Sequence, residues 1–385
     1  MTGVKYVSFF DRKGSGYSNA AKRYILGLDA LGVPVTWTPT NPEGHRGPLP
    51  YQPIECRAAG DPELQRFCGR DIPYDTVVVH MVPEYFPEWV EREPGKRMFG
   101  YTVWETDCVP RHWLACLNAM DTIIVPCDWN REVFEQGGVR VPVRVVPHAA
   151  APAGPADPHL GLSARESDFV FYSINTWSPR KNTAALLEAY LSNFTRDDPV
   201  VLVLKTGEWD MTSPFLPVVR RFLHTTKRSL RRIMSRYPNA ARIELIVDHL
   251  SDAQVSGLHA RGDCFVSLCH AEGWGMGAFD ACLHGNPVII TGYGGQLEYL
   301  PSEAAYLVDY EMVPVDVSMV RKSYSPDQRW AEAKIEHAGK LMRQAFENHE
   351  EAKQRGEALR KHVSARFHSE TVARQFVEAL TGRTT

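Results

Sequence analysis

The 385-residue sequence has no uninterrupted apolar run close to the roughly 20 residues that a membrane-spanning helix needs. It also has no Cys-x2-Cys pair, no repeat of fixed period and no low-complexity tract. Neither sign of charge dominates, since 43 Lys and Arg oppose 46 Asp and Glu for a formal net charge of −3. These absences argue against a membrane span, a structural zinc site, a solenoid and a sequence-wide attraction to nucleic acid.

The cysteines and the N-terminus favour a cytoplasmic protein. The eight cysteines are scattered, mostly in apolar surroundings, which predicts reduced, buried thiols. The first residues run directly into a strand-like segment, so no signal peptide is expected. With 44% hydrophobic residues, a chain of this length is predicted to form about two globular domains.

Apolar segments and amphipathic segments alternate along most of the chain, which predicts an α/β protein with parallel sheets. Strands are predicted over 4–10, 33–38, 76–80, 98–104, 122–126, 143–146, 169–175, 200–205, 242–247, 264–268, 287–290 and 305–308. The predicted organisation is a Rossmann-like domain over 1–150, a linker rich in small residues and proline over 151–167, a second Rossmann-like domain over 168–365 and a final helix over 366–385. From about residue 327 onward the pattern is mostly helical.

The most informative segment, residues 263–290, reads as strand, glycine loop, helix and strand. It places two carboxylates, Glu272 and Asp280, on either side of the helix start. Unpaired backbone N–H groups at a helix start favour an anion, and carboxylates accept hydrogen bonds from hydroxyls. A phosphate flanked by polyhydroxy groups describes a nucleotide sugar.

Residues 272–281 and 284–289 resemble the E-x7-E signature of the retaining glycosyltransferases of family 4. This resemblance implies the GT-B architecture, in which two Rossmann-like domains face each other across a cleft and the last helix returns to the N-terminal domain. It also implies that Glu272 binds hydroxyls of the transferred sugar and that Asp280, one methylene shorter than the family's Glu, reaches the ribose. The other donor-binding residues that it implies in this segment are His270, Gly273, Trp274, Gly275, Met276 and Gly277.

Two adjacent cations, Arg180 and Lys181, lie after a predicted strand and before a helix. Positive charge is disfavoured at a helix N-terminus, so an ordinary helix start explains them poorly. They suit the diphosphate of a sugar nucleotide, and the family carries a similar Arg-Lys pair at this point. Lys205, at the end of another strand, resembles a family position near the donor diphosphate.

The first half offers weaker candidates. Gly14, Ser15 and Gly16 resemble the family's first loop, which reaches the donor phosphate, although a plain tight turn also fits. His80 closes an apolar strand and is either a catalytic group facing the cleft or a hydrogen-bonded edge residue.

Trp104, Glu105 and Asp107 are candidate acceptor-binding residues. The carboxylates of Glu105 and Asp107 could instead cap the helix near residue 110, or hold a divalent metal as in single-domain GT-A transferases.

The segment 220–236 is strongly basic. Its cations appear on more than one face of a long helix, which favours a solvated helix over a docking surface for an anionic acceptor or a membrane. The basic residues are Arg220, Arg221, Lys227, Arg228, Arg231, Arg232 and Arg236.

The resemblance implies a metal-independent, retaining glycosyltransferase without a cofactor. A UDP- or GDP-sugar is the expected donor, and the acceptor is a glycan, a lipid-linked molecule, a peptide or a small molecule. Attack from the leaving-group face is expected, with Arg180 and Lys181 stabilising the departing diphosphate. A nucleotide-sugar epimerase or hydrolase and an inactive sugar-nucleotide-binding protein remain alternatives. No nucleic-acid partner is expected.

Overall fold

The computed structural model describes residues 1–10, 15–41, 52–53, 60–151, 154–157, 159–212, 224–317 and 323–382. The chain forms two compact units. The first unit consists of Met1–Trp104, Cys108–Ala151 and Arg366–Thr385, and the second consists of Glu105–Asp107 and Pro152–Ala365. The three residues Glu105–Asp107, which the sequence prediction assigned to the first domain, are therefore grouped with the second unit.

The first unit is built on a seven-stranded sheet with the order β3-β2-β1-β4-β5-β6-β7. Its strands are β1 (Val4–Phe9), β2 (Val35–Asn41), β3 (Gln52–Pro53), β4 (Thr76–His80), β5 (Arg97–Tyr101), β6 (Thr122–Val125) and β7 (Val143–Val145). Only the β2–β3 pair is antiparallel among the paired strands of this sheet that the structure describes. Its helices are α1 (Gly16–Ala30), α2 (Phe86–Arg92), α3 (Trp113–Leu117) and α4 (Asp128–Gln136).

The last helix, α11 (Ser369–Thr381), packs on α1 within the first unit. A Cβ at Gly27 would lie 3.0 Å from that of Ala373, so the two helices approach closely where glycine faces alanine. The amide of Ala150 donates to the carbonyl of Phe367 at 2.7 Å, which ties the end of the first segment to the start of the last. The chain thus leaves the first unit near residue 151 and re-enters it near residue 366.

The second unit is built on a six-stranded parallel sheet with the order β10-β9-β8-β11-β12-β13. Its strands are β8 (Phe169–Ile174), β9 (Val200–Lys205), β10 (Arg242–Ile246), β11 (Cys264–Ser267), β12 (Val288–Thr291) and β13 (Tyr306–Val308). Its helices are α5 (Thr183–Leu191), α6 (Thr226–Met234), α7 (Asp252–Arg261), α8 (Met276–Leu283), α9 (Ile335–Glu347) and α10 (His349–Arg366). A mostly parallel sheet in the first unit and a parallel sheet in the second confirm the predicted α/β architecture.

An antiparallel hairpin, which the sequence did not predict, follows the six-stranded sheet. It pairs β14 (Tyr310–Pro314) with β15 (Arg329–Ala333). The segment from about residue 327 was predicted to be helical, and helix α9 begins only at Ile335. Alanine and glutamate in β15 favour a helix locally, but pairing with β14 and burial of Trp330 override that preference.

The basic helix α6 presents its cations on one face, contrary to the sequence prediction. Lys227, Arg228, Arg231 and Arg232 are exposed, whereas the buried side of the helix carries Thr226, Ser229, Leu230 and Ile233. Arg220 and Arg221 lie outside the described residues. Within the part of the chain that the structure describes, no helix combines the length and apolar character needed to cross a membrane.

The prediction of reduced thiols is wrong for Cys68, which is disulfide-bonded. The other cysteines among the described residues are free, namely Cys108, Cys116, Cys127, Cys264, Cys269 and Cys282.

Candidate functional site

The cation pair of the second unit lies where β8 gives way to α5. A short 3-10 turn, Pro179–Lys181, carries both cations, and Asn182 then adopts a left-handed conformation with φ 45° immediately before α5. Asparagine tolerates this conformation better than most residues, and here its side-chain amide donates to Glu332 at 2.9 Å. The side chains of Arg180 and Lys181 are thereby placed beside the carboxyl end of the sheet.

The glycine loop between β11 and α8 is held from several sides. Gly275 begins the helix in a left-handed conformation with φ 86°. The buried Tyr299 hydroxyl donates to the carbonyls of Trp274 and Gly275 at 3.0 and 2.9 Å. The amide of Gly295 donates to the carbonyl of Glu272 at 2.8 Å, so the backbone that carries this carboxylate is fixed.

Arg180, Lys181, Glu272 and Glu105 form one cluster of charges, which we call the donor-site cluster. Arg180 Nη1 lies 2.9 Å from Glu272 Oε2, and Lys181 Nζ donates to the other carboxylate oxygen, Oε1. Arg180 Nη1 also donates to the carbonyl of Ala271 at 2.8 Å, and its Nη2 lies 3.3 Å from Glu105 Oε1. The structure therefore brings the two cations and the first acidic residue of the motif into direct contact.

Both sides of this cluster are ionised. Burial alone would raise the pKa of Glu272, but the charges of Lys181 and Arg180 and their hydrogen bonds lower it to about 2. Burial opposes the charge of Arg180, while Glu105 and Glu272 hold its pKa well above the ordinary value. Opposite charges at short range thus overcome the desolvation of both groups.

His270 connects the glycine loop to the hairpin. Its ring stacks on Trp330 with centroids 4.4 Å apart and planes 7° apart, and its Nδ1 lies 3.0 Å from the carbonyl of Ala331. A carbonyl only accepts, so Nδ1 carries the proton and Nε2 of the neutral ring is an acceptor. Its backbone amide donates to the carbonyl of Arg180 at 2.8 Å. Burial lowers the pKa of His270, with Glu332 acting in the opposite sense.

Lys205 lies at the same edge of the sheet as the cation pair. It is the last residue of β9 and pairs in register with Ile174 at the end of β8. Burial lowers the pKa of Lys205, and Asp248 partly opposes this effect. The half-buried Lys205 therefore lies at the carboxyl end of β9, next to the end of β8, the strand that precedes Arg180 and Lys181.

The remaining motif residues divide between packing and surface. Trp274 is buried against Tyr299 and Phe279, at centroid distances of 5.0 and 5.2 Å, so its indole supports the loop from within. A Cβ at Gly277 would lie 3.3 Å from the carbonyl of Ile174, which shows how closely α8 approaches the sheet. Gly273 is buried and Met276 is half-buried.

Asp280 is half-buried on α8. Its charge acts on the stacked imidazoles of His259 and His284, whose centroids lie 4.9 Å apart. Burial lowers the pKa of His259 to about 4 and also lowers that of His284, and Asp280 opposes both shifts.

His80 lies in the first unit and is 1% exposed. Its Nδ1 is 2.8 Å from the Tyr6 hydroxyl, and its ring centroid is 4.2 Å from that of Tyr101. Burial lowers the pKa of His80 to about 3, so the imidazole is neutral at physiological pH. The hydrogen-bonded arrangement foreseen as the alternative for this residue is present, and a catalytic role for it stays a prediction.

The predicted first loop is described only in part. Gly14 lies outside the described residues. The side chain of Ser15 accepts from the amide of Ser18 at 3.3 Å and caps α1, and Gly16 is the first residue of that helix. Ser15 and Gly16 therefore form the start of helix α1.

Trp104 is buried within the first unit, which argues against its predicted contact with an acceptor. Its indole N–H donates to the carbonyl of Cys108 at 2.7 Å, and its ring meets Trp113 edge-on at 4.6 Å. Its backbone is held by Asn130, whose side-chain amide donates to the Trp104 carbonyl at 2.9 Å. The polar atom that an acceptor would need is already engaged.

The carboxylates of Glu105 and Asp107 are engaged within the second unit. Glu105 pairs with Arg180, and Asp107 accepts from the amide of Arg329 at 2.7 Å at the start of β15. The alternative of a metal held by this triplet finds no support here, and over the described ranges no three His, Cys, Asp or Glu side chains converge on a possible metal site.

Three residues of the site were not predicted from the sequence. They are Tyr299, whose hydroxyl donates to two carbonyls of the glycine loop, and the β15 residues Trp330 and Glu332. Trp330 and Glu332 reach the site from about 60 positions along the chain, through the β14–β15 pairing. No local motif marks them, because their position depends on that long-range pairing.

Comparisons with known proteins agree with this geometry. Residues 219–376 match the model of a family described as family 4 glycosyltransferases in conflict systems. No curated protein sequence matches the chain.

Solved structures share the fold over the whole chain. HepE of Anabaena, in complex with UDP-glucose, has a TM-score of 0.65 at 14% identity, with 100% of each chain covered. Sucrose-phosphate synthase of Thermosynechococcus elongatus has a TM-score of 0.69 at 14% identity, with 98% of each chain covered. A trehalose-6-phosphate protein of E. coli, bound with UDP-2-fluoro glucose, has a TM-score of 0.65 at 14% identity, with 99% of each chain covered. At these identities the likeness establishes the fold, which is GT-B. Residues 219–376 are thus similar to a family 4 glycosyltransferase model, and the chain as a whole has the GT-B fold.

Proposed function

We propose that the protein is a retaining, metal-independent glycosyltransferase that takes its sugar from a UDP-sugar. The observation that carries this proposal is the donor-site cluster, in which Arg180 and Lys181 meet Glu272 directly before the left-handed helix start at Gly275. A diphosphate needs cations and amide donors, and a sugar needs hydroxyl acceptors. The cluster offers both within one unit.

In the proposed reaction, the bond between the anomeric carbon and the β-phosphate oxygen breaks, and its electron pair stays on the phosphate. Arg180 and Lys181 offset the charge that grows there. The acceptor hydroxyl attacks from the same face and gives its proton to a phosphate oxygen. Glu272 and the Nε2 atom of His270 accept from sugar hydroxyls, and Asp280 accepts from the ribose.

The choice of UDP has its support in the ligands of the neighbours, since HepE is described with UDP-glucose and the E. coli protein with UDP-2-fluoro glucose. Metal independence has its support in the carboxylates of Glu105 and Asp107, which are paired with Arg180 and with a backbone amide. A catalytic contribution of His80 belongs to this proposal as a prediction.

A direct test combines ligand binding with product analysis. Thermal unfolding is measured with UDP, GDP, ADP and their glucose conjugates, because a ligand that binds the native state raises its apparent stability. The stabilising sugar nucleotide is then incubated with panels of glycan, lipid-linked, peptide and small-molecule acceptors, with and without EDTA. We expect UDP-glucose or a related UDP-sugar to stabilise the protein and a product with retained anomeric configuration to form in EDTA.

Each other outcome has a distinct meaning. Free or isomerised sugar without an acceptor product would identify a hydrolase or an epimerase. Stabilisation without turnover on any acceptor would identify a binding protein. Failure of every nucleotide to stabilise the chain would overturn the proposal.

A further inference from the structure

The two cations of the donor site are already neutralised by the protein itself. Arg180 and Lys181 contribute two positive charges, and Glu272 and Glu105 contribute two negative ones, so the cluster is neutral in total. An incoming diphosphate does not meet two unpaired cations. It has to share them with a carboxylate that is 7% exposed.

Glu272 cannot withdraw easily when the diphosphate arrives. Its carbonyl accepts from Gly295 at 2.8 Å, and a Cβ at Gly294 would lie 2.9 Å from that same carbonyl oxygen. Arg180 is likewise tethered to the carbonyl of Ala271. Because the backbone of Glu272 is fixed and its side chain is buried, the carboxylate stays close to any phosphate that binds the cations, and it needs new hydrogen-bond donors in exchange for those it gives up.

A sugar nucleotide and a free nucleotide differ in what they offer this carboxylate. The β-phosphate of a UDP-sugar is esterified, and the attached sugar brings hydroxyl donors. Free UDP has no such donors and carries an additional ionised oxygen at the same position, which a nearby carboxylate repels. The carboxylate of Glu272 therefore favours binding of the UDP-sugar and disfavours binding of free UDP.

We infer that Glu272 acts as an internal competitor for Arg180 and Lys181, so that the donor site favours a diphosphate that carries a sugar over the free nucleoside diphosphate. The inference rests on the proposed function and adds a specificity role for the ion pair itself. It implies that loss of the sugar weakens the hold on the remaining nucleotide, which speeds product release. Glu105 also pairs with Arg180, at 3.3 Å, and should weaken the binding of every diphosphate, with less discrimination between the two ligands than Glu272.

Calorimetric titration of UDP and UDP-glucose tests this inference on the full chain and on three variants. Glu272→Gln removes the carboxylate charge and nearly keeps its shape. Glu105→Gln removes the other charge that pairs with Arg180. Glu357→Gln removes an exposed carboxylate from the Arg360 pair on α10 and serves as a matched control for net charge.

In Glu272→Gln we expect UDP to bind about tenfold more tightly, as the loss of a close opposing charge implies, while UDP-glucose gains nothing or weakens. In Glu105→Gln both ligands should bind more tightly, and their affinity ratio should change less than in Glu272→Gln, because Glu105 pairs with only one of the two cations. Glu357→Gln should match the wild type for both ligands. An unchanged ratio in Glu272→Gln, or weaker UDP binding, overturns the inference and leaves the proposed donor class intact.

If neither UDP nor UDP-glucose binds the wild type or any variant, the proposed donor class fails, and the inference fails with it. Thermal unfolding of each variant checks its folding. Should Glu272→Gln fail to fold, Glu272→Asp keeps the charge but withdraws it by one methylene. In that variant the preference for UDP-glucose should fall part of the way, and a preference equal to that of the wild type overturns the inference.

Discussion

The two units carry different chemistry at the carboxyl ends of their strands. In the first unit, His80 and Tyr101 end neighbouring strands and are sealed, neutral and hydrogen-bonded to further buried side chains. In the second unit, the residues after β8 and β11 are ionised and paired. Both sheets place polar groups at this edge, but His80 and Tyr101 are neutral, whereas Arg180 and Glu272 are charged.

The difference follows from the presence of a partner of opposite charge. Burial lowers the pKa of His80 to about 3, and among the described residues no carboxylate opposes this desolvation. Around Glu272 the same burial is outweighed by two cations, and its pKa falls to about 2. Parallel-sheet topology thus decides where polar groups collect, and their immediate partners decide whether those groups carry charge.

The largest effect is expected where the charges of the second unit act on the reaction. Lys181→Ala should lower turnover about 100- to 1,000-fold, as the loss of one group that stabilises developing charge typically does. The fold should persist, because Glu272 keeps its pair with Arg180. Steady-state rates with the sugar nucleotide found by binding give the measurement.

Lys227→Ala, on the exposed face of α6, is the matched control and should keep wild-type rates. Wild-type turnover in folded Lys181→Ala protein would show that this charge of the second unit does not act on the reaction.

The pH dependence of stability should separate the contribution of buried histidines such as His80 from that of the Glu272 ion pair. The unfolded chain binds a proton at His80 near its ordinary pKa of 6.5, whereas the folded chain does so only near 3. The contribution of neutral His80 is therefore complete above pH 6.5 and is lost as the pH falls toward 3. For Glu272 the folded pKa of about 2 lies below the ordinary 4.5, so its contribution is lost only between pH 4.5 and 2.

Urea unfolding between pH 7 and 5 should consequently report the buried histidines of both units, with a loss of about 1.4 kcal/mol per pH unit for each one below its ordinary pKa. His80→Phe should reduce this slope by the amount that corresponds to the uptake of about one proton on unfolding. Equal slopes in His80→Phe and the wild type would contradict the assignment of a buried neutral imidazole.

The smallest effect is expected at the backbone that presents the cation pair. Asn182 has φ 45°, where Ala is strained and Gly is not. Asn182→Ala should lower the free energy of unfolding by about 1 kcal/mol more than Asn182→Gly does. Both variants lose the bond to Glu332, so the difference between them isolates the backbone. Denaturant unfolding of the two variants measures it, and equal stability would show that the turn relaxes.

Several elements were predictable from sequence because one local signal dominated. The strands Thr76–His80 and Val200–Lys205 have the predicted bounds, since continuous β-branched and aliphatic runs leave little alternative in a parallel sheet. Helix α8 follows its glycine loop as predicted, because Gly275 supplies the left-handed start. The β14–β15 hairpin was missed, because its pairing joins segments that are not adjacent in the chain and contains good helix formers.

The sequence by itself determined the alternating α/β plan and the placement of Arg180, Lys181 and Glu272 in loops that follow strands. It did so because apolar runs, glycines and charged residues act locally. Only the tertiary structure decided that these three side chains pair with one another, that Glu105 joins them, and that His80 is sealed and neutral. Those outcomes depend on distances between residues far apart in the chain, and on the balance between desolvation and opposite charge that such distances set.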